Sequence, residues 1–510
     1  MRSLIITIGS LCCLLWFSSC RKDFEYLPSS GNLQFSKDTV YLDTVFTNIG
    51  SSTYSLKVYN RSRSDIEIPS IRLEEGENSQ YRLNVDGQAG KSFRDIPLLS
   101  GDSLYIFIET TYDIAPTGQN EFLYIDHILF DQGVNEQRVP LVTLVRDAVF
   151  LFPSTLADGS KESLLLGLDE EGGELRISGF LLEDDELQFT NEKPYVIYGY
   201  AAVGDGKVLT VEAGARVYFH EDSGILVGTG GSIRINGMLS EVPELLENEV
   251  IFEGDRLEPE FEDVPGQWGA LWLAPGSVDN QIFHLTLRNA TVGVLVEGNA
   301  DSPSPALALS GVQIYNSSVA NLWGRNTSVA GENVVLGNAG VHSLLLDRGG
   351  SYRFLHTTIA NHWSNGFRTG TALKISTYDV NDPVNGTGGD LLRADFINCI
   401  TDGNGSRELS LEQRPGSTFS FFFSHMLLTF RDSSGEFEGN PLYDFSNTSL
   451  YTSIFLNSNP DFTAPFRNDF TLGPESQAAG VGDPDAALSV PLDLLGRDRT
   501  QSPALGAYQQ

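Results

Sequence analysis

The sequence has only four cysteines among 510 residues. Two of them, Cys12 and Cys13, lie in an apolar N-terminal segment with the character of a removable leader. Cys20 and Cys399 are the two that follow it. A small disulfide-rich secreted fold is therefore excluded, and a chain of this length must be stabilised by buried apolar side chains.

Positive charge is also scarce. The chain has 33 Lys and Arg residues against 67 Asp and Glu residues, which gives a formal net charge of −34. Removal of a leader that contains Arg2 would make it −34 − 1 = −35. Such a field disfavours nucleic acid and anionic membrane surfaces as partners. It also repels highly anionic polyuronates unless calcium intervenes.

The N-terminal apolar run, from Leu4 to Phe17, is too short to span a bilayer comfortably. Ser18 and Ser19 lead from it into Cys20, and residues 17–20 resemble the lipobox of a bacterial lipoprotein signal, with phenylalanine at the usual leucine position. The resemblance implies cleavage before Cys20 and acylation of that cysteine. The alternative is an ordinary secretory signal that is cleaved at another bond.

The residues after Cys20 bear on location. Arg-Lys-Asp-Phe-Glu at 21–25 is similar to the charged export tag of Bacteroidetes lipoproteins. The two resemblances imply a lipid-anchored protein of the outer membrane, held on the cell surface. With Cys20 acylated, Cys399 has no cysteine partner in the chain, so no intramolecular disulfide is expected.

The second half of the chain contains a repeat. Five asparagines, each with a large apolar residue two positions before it, recur at steps of 27, 22, 23 and 37 residues: Asn289, Asn316, Asn338, Asn361 and Asn398. The alternation before each asparagine predicts short strands and not helices, and the period indicates stacked turns. We expect the asparagines at the corners, where a small amide tolerates left-handed backbone and stacked copies can bond to one another.

Earlier segments continue the pattern, at 208–219, 224–227, 232–237, 250–252 and 266–273. With their glycine and Asx corners and a Gly-x-Trp-Gly strand at 266–269, they resemble the opening turns of the right-handed parallel β-helix proteins of the pectate-lyase-like superfamily. Segments 468–476, 491–497 and 506–508 are similar to the closing part of secreted bacterial members. The resemblance covers roughly residues 195 to 510 and implies the fold. Because the superfamily includes lyases, hydrolases, epimerases and adhesins, it does not fix the function.

Before the coil, alternating apolar runs at 39–46, 54–59, 66–73, 104–110 and 139–145 predict an immunoglobulin-like β-sandwich. The fold class expected is therefore all-β, a right-handed parallel β-helix preceded by that sandwich. The expected parts are a signal peptide at 1–19, an anchor and linker at 20–32, the sandwich at 33–150, an acidic connection or N-terminal cap at 151–195, the parallel β-helix at 196–440, and C-terminal turns and a cap at 441–510.

The sequence contains no complete motif for catalysis or for metal binding. A lyase on this fold needs a cation beside the uronate carboxylate and a base, and a polygalacturonase-type hydrolase needs paired aspartates with a nearby Gly-His-Gly, which the sequence lacks. The excursion at 255–263 has acidic residues that could line a calcium site, although a solvated acidic loop explains them equally well: Asp255, Glu258, Glu260, Glu262 and Asp263. Without Asp-x-Asp spacing we assign no metal ligand, no catalytic residue and no cofactor.

The segment 352–363 combines the residue types that bind sugars. Arg353 and His356 are expected at outward or edge positions of one turn, with His362 and Trp363 just past a corner. A cation, two imidazoles and an indole can bind a sugar ring, with the indole stacked on its apolar face. The alternative is that His and Trp pack against the long excursion at 364–392.

That excursion accounts for the 37-residue step of the repeat. Insertions in such coils usually emerge on one face, which is often the binding face. We expect a ligand in a groove between it and the acidic excursion near residue 260. Trp268 and Trp272, four residues apart in one strand, are expected on the same face as core and stacking residues.

The sequence thus favours a lipid-anchored surface protein that binds a glycan or an envelope protein without catalysis. One alternative is a carbohydrate-active enzyme, a polysaccharide lyase or glycoside hydrolase, which predicts outward charged residues aligned over two or three turns. Another is a structural subunit of an outer-membrane complex. It predicts a broad apolar patch on the sandwich or at one end of the coil.

Overall fold

A computed structural model describes residues 26–112, 121–168, 172–243, 245–300, 302 and 304–510. The expected signal peptide, Cys20 and the tag at 21–25 lie outside these residues. The chain divides into two compact units, Met1–Asp147 and Ala148–Gln510. Within the described ranges, no helix has the length and apolar character that a membrane span requires.

The first unit is built from eleven short strands. They are β1 Leu27–Pro28, β2 Gln34–Phe35, β3 Val40–Phe46, β4 Tyr54–Tyr59, β5 Ile66–Leu73, β6 Tyr81–Val85, β7 Gln88–Gly90, β8 Ser92–Leu98, β9 Ser103–Thr110, β10 Glu121–Phe130 and β11 Gln137–Arg146. One sheet has the order β1-β5-β10-β11-β3 with β8 also paired to β5, and the other has the order β2-β4-β9-β6-β7. Pairing is antiparallel except between β1 and β5 and between β3 and β11.

The core of the first unit follows the alternation that the sequence shows. In β9, Leu104, Ile106 and Ile108 are buried while the residues between them are exposed or half-buried. In β11, Val139 and Leu141 point to the same core. The prediction of a β-sandwich is confirmed.

The second unit contains strands that pair mainly in parallel. They are β12 Val149–Leu151, β13 Ser163–Leu168, β14 Glu174–Leu181, β15 Gln188–Phe189, β16 Tyr195–Ile197, β17 Tyr200–Val203, β18 Val208–Glu212, β19 Arg216–Phe219, β20 Gly224–Val227, β21 Ser232–Asn236, β22 Val250–Gly254, β23 Trp268–Leu273, β24 Asn280–Phe283, β25 Leu285–Arg288, β26 Ala290–Glu297, β27 Leu307–Ser310, β28 Gln313–Tyr315, β29 Ala320–Glu332, β30 Val335–Gly337, β31 His342–Leu355, β32 Thr358–Asn361, β33 Leu373–Ser376, β34 Leu391–Gly403, β35 Leu409–Glu412, β36 Phe422–Leu428, β37 Tyr451–Leu456, β38 Phe462–Ala464 and β39 Asp469–Leu472. The α-helix Pro484–Ser489 follows, and single 3-10 turns lie at Gly76–Asn78, Gly133–Asn135, Asp184–Glu186, Pro259–Phe261, Pro441–Tyr443 and Pro465–Arg467.

These strands wind into a parallel β-helix with three faces, and that prediction is confirmed. The first face runs through β16, β19, β22, β25, β28, β30 and β32. The second runs through β17, β20, β23, β26, β29, β31, β33 and β35. The third runs through β18, β21, β24 and β27 and then the second halves of β29 and β31. Parallel stacking already begins within 151–195, where β14 pairs with β17 and β15 with β18.

The interior of the coil is apolar and closely stacked. Phe354, Phe396 and Phe423 lie in successive turns with ring centroids 5.1 and 5.2 Å apart. Cys399 is fully buried beside them and forms no disulfide among the described residues. Burial raises the pKa of its thiol to about 12, so Cys399 serves as a small core residue.

The repeated asparagines mark corners, but they belong to two columns. Asn289, Asn316 and Asn338 follow strands that are in register, and each has a positive φ of 66°, 56° and 56°. Asn361 continues this column, and its partner in the next turn is Gly403. The expectation that Asn398 is the fifth member was wrong. The excursion makes that turn 403 − 361 = 42 residues long. Asn398 follows Asn361 by only 37 residues, so it does not reach the equivalent position in the next turn.

The second column of corners lies between the third and first faces. Its members have positive φ and include His284, Gly311, Asn333, His356 and Asn398. Registers between β24, β27, β29, β31 and β34 place each one turn after the last. Left-handed backbone at each corner bends the chain from one face to the next, which explains why asparagine, glycine and histidine recur there.

The asparagine amides of the first column do not bond to their neighbours in a ladder, as the sequence had suggested. Asn289 Nδ2 donates to the carbonyl of Glu262 at 2.8 Å, and Asn316 Nδ2 donates to Asp263 Oδ1 at 3.0 Å. Asn338 Nδ2 donates to the carbonyl of Pro465 at 2.7 Å. The column therefore holds neighbouring loops against the coil.

The last part of the chain packs along the side of the coil. Phe470 and Tyr508 cover Tyr315 and Val335 on the first face. Tyr508 donates from its hydroxyl to Gln313 Oε1 at 3.1 Å. Residues from β38 onward thus cover apolar side chains of turns that lie more than a hundred residues earlier in the sequence.

Candidate functional site

His356, one of the four residues proposed from sequence, lies in the interior. It is 0 % exposed, and its Nε2 is 3.1 Å from Nδ2 of Asn398 in the next turn. Burial, with the nearby charge of Arg499, lowers the pKa of His356 to about 3. The imidazole is therefore neutral at ordinary pH and serves as a corner residue, because its left-handed φ of 48° turns it beneath the C-terminal segment.

His362 and Trp363 are also engaged in packing. Trp363 is 8 % exposed, and its carbonyl accepts a hydrogen bond from Asn404 Nδ2 at 3.0 Å. His362 Nε2 lies 3.2 Å from Asp402 Oδ2, and its ring contacts Phe466 with centroids 5.7 Å apart. Both residues help to seat the loops beside the first face.

Arg353 differs from the other three. It lies in β31 on the third face, where its side chain is exposed. Its guanidinium forms no ion pair or hydrogen bond with any described residue. Other exposed arginines, such as Arg431, share this lack of a partner among the described residues, and what distinguishes Arg353 is the depression that it borders.

Arg353 borders a depression in the third face with a volume of about 220 Å³. The depression exists because the outward positions on β27 and β29 in the same column are alanines, Ala308 and Ala330. The neighbouring column contributes Phe283, Ser310, Glu332 and Leu355. We call this the Arg353 depression, and its volume suits one sugar ring and not a long ligand.

The chemistry of the Arg353 depression is mixed. Phe283 is 37 % exposed and offers part of a ring face. Ser310 Oγ donates to Glu332 Oε1 at 3.2 Å, which holds that carboxylate on the floor. Arg353 follows the two alanines in the adjacent column, one turn after Ala330. An apolar ring face, a carboxylate and a cation, which lie over four successive turns, can bind a sugar that has one acidic substituent.

A second cluster lies on the outer side of the second face. Glu297, Arg325 and Asp347 occupy the same position in three successive turns. Arg325 Nη1 is 3.3 Å from Glu297 Oε1, its Nε is 3.3 Å from Asp347 Oδ1, and its Nη2 is 3.0 Å from Asp379 Oδ1. Asp347 is 0 % exposed, and burial raises its pKa while Arg325 acts against that shift. We call these four residues the Arg325 cluster.

Two tryptophans flank the Arg325 cluster. Trp272, Leu295 and Trp323 lie in one column, so that two turns separate the indoles. Trp272 Nε1 donates to Glu297 Oε2 at 2.8 Å, and Trp323 Nε1 donates to Asp347 Oδ1 at 2.9 Å. The two rings are about 10 Å apart at the normal spacing of strands, and they are half-buried.

Trp268 does not share a face with Trp272, contrary to the sequence expectation. Trp268 is 1 % exposed and stacks on Phe219 inside the coil with centroids 4.2 Å apart. The register of β23 with β26 shifts between Ala270 and Leu271, both of which are buried. This bulge changes the phase of the alternation, so that Trp272 points outward.

The groove expected between the two excursions is a contact between them. Asn365 Nδ2 donates to the carbonyl of Asp263 at 2.8 Å. Two carboxylates of the acidic excursion have a basic side chain as partner: Asp255 lies 2.8 Å from His220 and Glu258 lies 3.1 Å from Arg256. Neither excursion contributes a residue to the Arg353 depression.

A larger cavity of about 560 Å³ lies near the C-terminal end of the coil. Its aromatic lining is packed on itself, with Phe430 stacked on Tyr443 at 5.1 Å and Phe437 4.5 Å from Tyr443. Asp432 accepts hydrogen bonds from the backbone N–H groups of Glu436 and Phe437 at 3.1 and 2.8 Å. These contacts close the end of the coil.

The sandwich has an apolar outer surface on one sheet. Leu123 pairs with Leu144 and Ile125 pairs with Val142, which in turn pairs with Tyr41. Leu123, Ile125 and Tyr41 are exposed, and the other two are half-buried. We call these five residues the sandwich patch.

Comparisons with known proteins do not assign a family. No family model matches the chain, and no curated protein matches it. One solved structure, the ASH/PapD-like domain of human CEP192 (PapD-like domain 7), is similar at 13 % identity over 26 % of this chain and 94 % of that chain, with a TM-score of 0.15. A likeness at that TM-score carries no argument about fold or function.

Proposed function

We propose that this protein is a lipid-anchored protein of the outer membrane whose coil binds a glycan at the cell surface without catalysis. The observation that carries the proposal is a depression of about 220 Å³ that is lined both by Arg353, whose guanidinium has no partner among the described residues, and by the exposed ring of Phe283. A lipobox-like segment ending at Cys20 supports the location.

The ligand that suits the depression is a sugar with a single acidic group, a carboxylate or a sulfate. The guanidinium of Arg353 would donate two hydrogen bonds to the anion, and Phe283 would pack against the apolar face of the ring. Because the chain has a net charge of −34, a densely anionic polymer would be repelled. The ligand that is favoured is therefore a glycan in which most sugars are neutral and the acidic sugars are far apart.

Binding of the detergent-solubilised full chain to an array of neutral and acidic glycans tests this proposal. Arg353→Ala should weaken binding to the best ligand by tenfold or more, since it removes a charge-assisted contact. Arg431→Ala is the matched control, because Arg431 is an exposed arginine on the same coil outside the depression. Equal loss in both variants, or binding unchanged in Arg353→Ala, would refute the assignment.

Location is tested separately in the native bacterium. Cys20→Ala should abolish incorporation of a labelled fatty acid and release the protein from the outer membrane. In intact cells, the unaltered protein should be degraded by added protease. Retention of the label in Cys20→Ala, or resistance of the unaltered protein to protease in intact cells but not in lysed ones, would contradict a surface anchor.

The Arg325 cluster favours a second function, that of a carbohydrate-active enzyme. It contains charged residues aligned over three turns, which is the arrangement that this alternative predicts, and both indoles lie in the column beside them. Against it, Arg325 contacts three carboxylates and leaves none of them without a cation. Depolymerisation of a bound glycan that is lost in Asp347→Asn but kept in Arg353→Ala would favour the enzyme.

The sandwich patch favours an envelope protein as a further partner. Its five apolar residues lie on the outer side of one sheet, where a monomer would normally place polar side chains. Cross-linking in intact cells, with a photoreactive residue at Leu123, tests for a neighbouring protein. Cross-links at Leu123 but not at Val134, an exposed residue in the turn between β10 and β11, would support a docking role.

A further inference from the structure

Three metal-ligating side chains meet on the first unit. Glu74 directly follows β5, and Asp126 and His127 lie in β10, which pairs with β5. Each offers one ligand atom, and these atoms lie within 4.8 Å of one another. Glu74 lies in the turn after β5, and its backbone N–H donates to the carbonyl of His127 at 2.9 Å, which fixes it beside β10.

Asp126 is the informative member, because it is 2 % exposed. One carboxylate oxygen, Oδ1, accepts hydrogen bonds from the backbone N–H groups of Glu75 at 3.2 Å and His127 at 2.7 Å. The other oxygen, Oδ2, is buried and has no hydrogen-bond partner among the described residues. A buried carboxylate oxygen without a partner is costly, and a bound cation would remove that cost.

His127 and Glu74 provide the rest of the ligand set. His127 Nδ1 lies 2.7 Å from Glu74 Oε2, and both side chains reach solvent. Arg138 is a competing cation, but its Nη2 is 3.8 Å from Glu74 and 3.7 Å from Glu136. It is more than half exposed, so it can pair with Glu136 when another cation takes Glu74.

We propose that Glu74, Asp126 and His127 form a binding site for one divalent transition-metal ion of the zinc type. One imidazole nitrogen and two carboxylate oxygens are a ligand set that zinc accepts. A tetrahedral ion with ligands about 2.0–2.2 Å away holds them roughly 3.4 Å apart. That spacing lies between the 2.7 Å contact and the 4.8 Å limit found here.

Calcium does not suit the site. It takes six to eight oxygen ligands, whereas this cluster offers two carboxylates and an imidazole. The three protein ligands leave coordination positions for water or for a donor from a partner. Because Leu123 and Ile125 of the sandwich patch precede His127 on the same strand, a metal here would lie beside that apolar surface.

The coil provides a matched control. His220 Nδ1 lies 2.8 Å from Asp255 Oδ2, which reproduces the His–carboxylate pair of the first unit. That pair belongs to no group of three metal-ligating residues among the described ranges. His220→Gln therefore removes a similar imidazole–carboxylate contact without touching the proposed site.

The test is metal binding by the untagged full chain after chelator treatment and desalting. Equilibrium dialysis against zinc chloride should give one tightly bound ion per chain, and calcium chloride should give none at the same site. Glu74→Gln and His127→Gln should each weaken zinc binding tenfold or more, while His220→Gln should leave it unchanged. Both substituted side chains reach solvent, so the variants are expected to fold.

Two further measurements keep the outcome decisive. Circular dichroism and the thermal midpoint without metal should match the unaltered protein, and cobalt(II) should give an absorption band that His127→Gln abolishes. Less than half an equivalent of zinc, or zinc binding that survives His127→Gln, would overturn the site. Glycan binding by the Arg353 depression is independent of this result, because it lies in the other unit.

Discussion

His356 and Asn398 occupy the same corner position in adjacent turns, and Asn398 Nδ2 lies 3.1 Å from Nε2 of His356 across the gap. Both have left-handed backbone, with φ of 48° and 55°. The histidine thus takes the place that asparagine takes in neighbouring turns. This equivalence makes a direct prediction about which substitutions the corner tolerates.

His356→Asn should cost little stability, because asparagine accepts left-handed backbone and can bond to the stacked amide. His356→Ala should cost about 2–3 kcal/mol, since it leaves a cavity and strains the corner. Urea unfolding followed by tryptophan fluorescence measures both. Glycan binding should be unchanged in His356→Asn, and its loss would return His356 to the binding site.

The stability of the coil should depend on pH through His356 and His342. Burial lowers the pKa values to about 3 and about 4 in the folded state, below the value of about 6.5 in an unfolded chain. Between those values the unfolded chain binds more protons, so stability falls as the pH drops from about 6.5 towards 4. The pH dependence of the urea midpoint should be shallower in His356→Asn. An unchanged dependence would contradict burial of a neutral imidazole.

Filling the Arg353 depression should block binding without harm to the fold. Ala330→Leu places a larger side chain on its floor, while the position is half-buried and faces outward. We expect glycan affinity to fall tenfold or more with an unchanged thermal midpoint. Ser351→Leu on the same face lies outside the lining and is the matched control. Full affinity in Ala330→Leu would exclude the depression as the binding site.

Breaking the Arg325 cluster should loosen the excursion that follows β33. Arg325→Met leaves Asp347, which is 0 % exposed, without its cation, at a cost of about 3 kcal/mol or more. Asp379 would keep Arg348, whose Nε is 3.0 Å away. Because Asp379 loses its contact with Arg325, hydrogen exchange of the backbone amides should rise over residues 377–389 more than elsewhere. Uniform exchange across the coil would argue that the cluster does not hold the excursion.

The sequence was sufficient for the type of fold but not for the phase of its turns. The step from Asn289 to Asn361 is regular, and the corner column that contains His356 repeats it. Both columns then take a step of 42 residues, 361 to 403 and 356 to 398. A pattern search that aligns asparagines finds 37 because Asn398, at the bend within β34, also follows alternating apolar residues. Only the pairing of strands separates the two columns.

The candidate site was predictable in one residue, Arg353. Its partners Ala308, Ala330 and Glu332 are small or ordinary side chains that give no chemical signal, and they meet only because three turns are in register. His356 and His362 attracted attention by residue type, yet both contact residues more than a hundred positions later: the backbone of Ala504 and Gly506 for His356, and the ring of Phe466 for His362. The outward position of Trp272 depends on a bulge that alternation alone does not show.

The C-terminal segment also constrains the order in which the molecule can mature. Arg499 is 1 % exposed, and its Nη2 donates to Asn333 Oδ1 at 2.8 Å, across 166 residues of sequence. Apolar side chains of turns in the middle of the coil, such as Tyr315 and Val335, therefore remain exposed to solvent until the C-terminal residues have been synthesised and packed against them. On the proposed route to the cell surface, where the chain would emerge from its N-terminus, those turns would need protection from aggregation until the C-terminal residues pack against them.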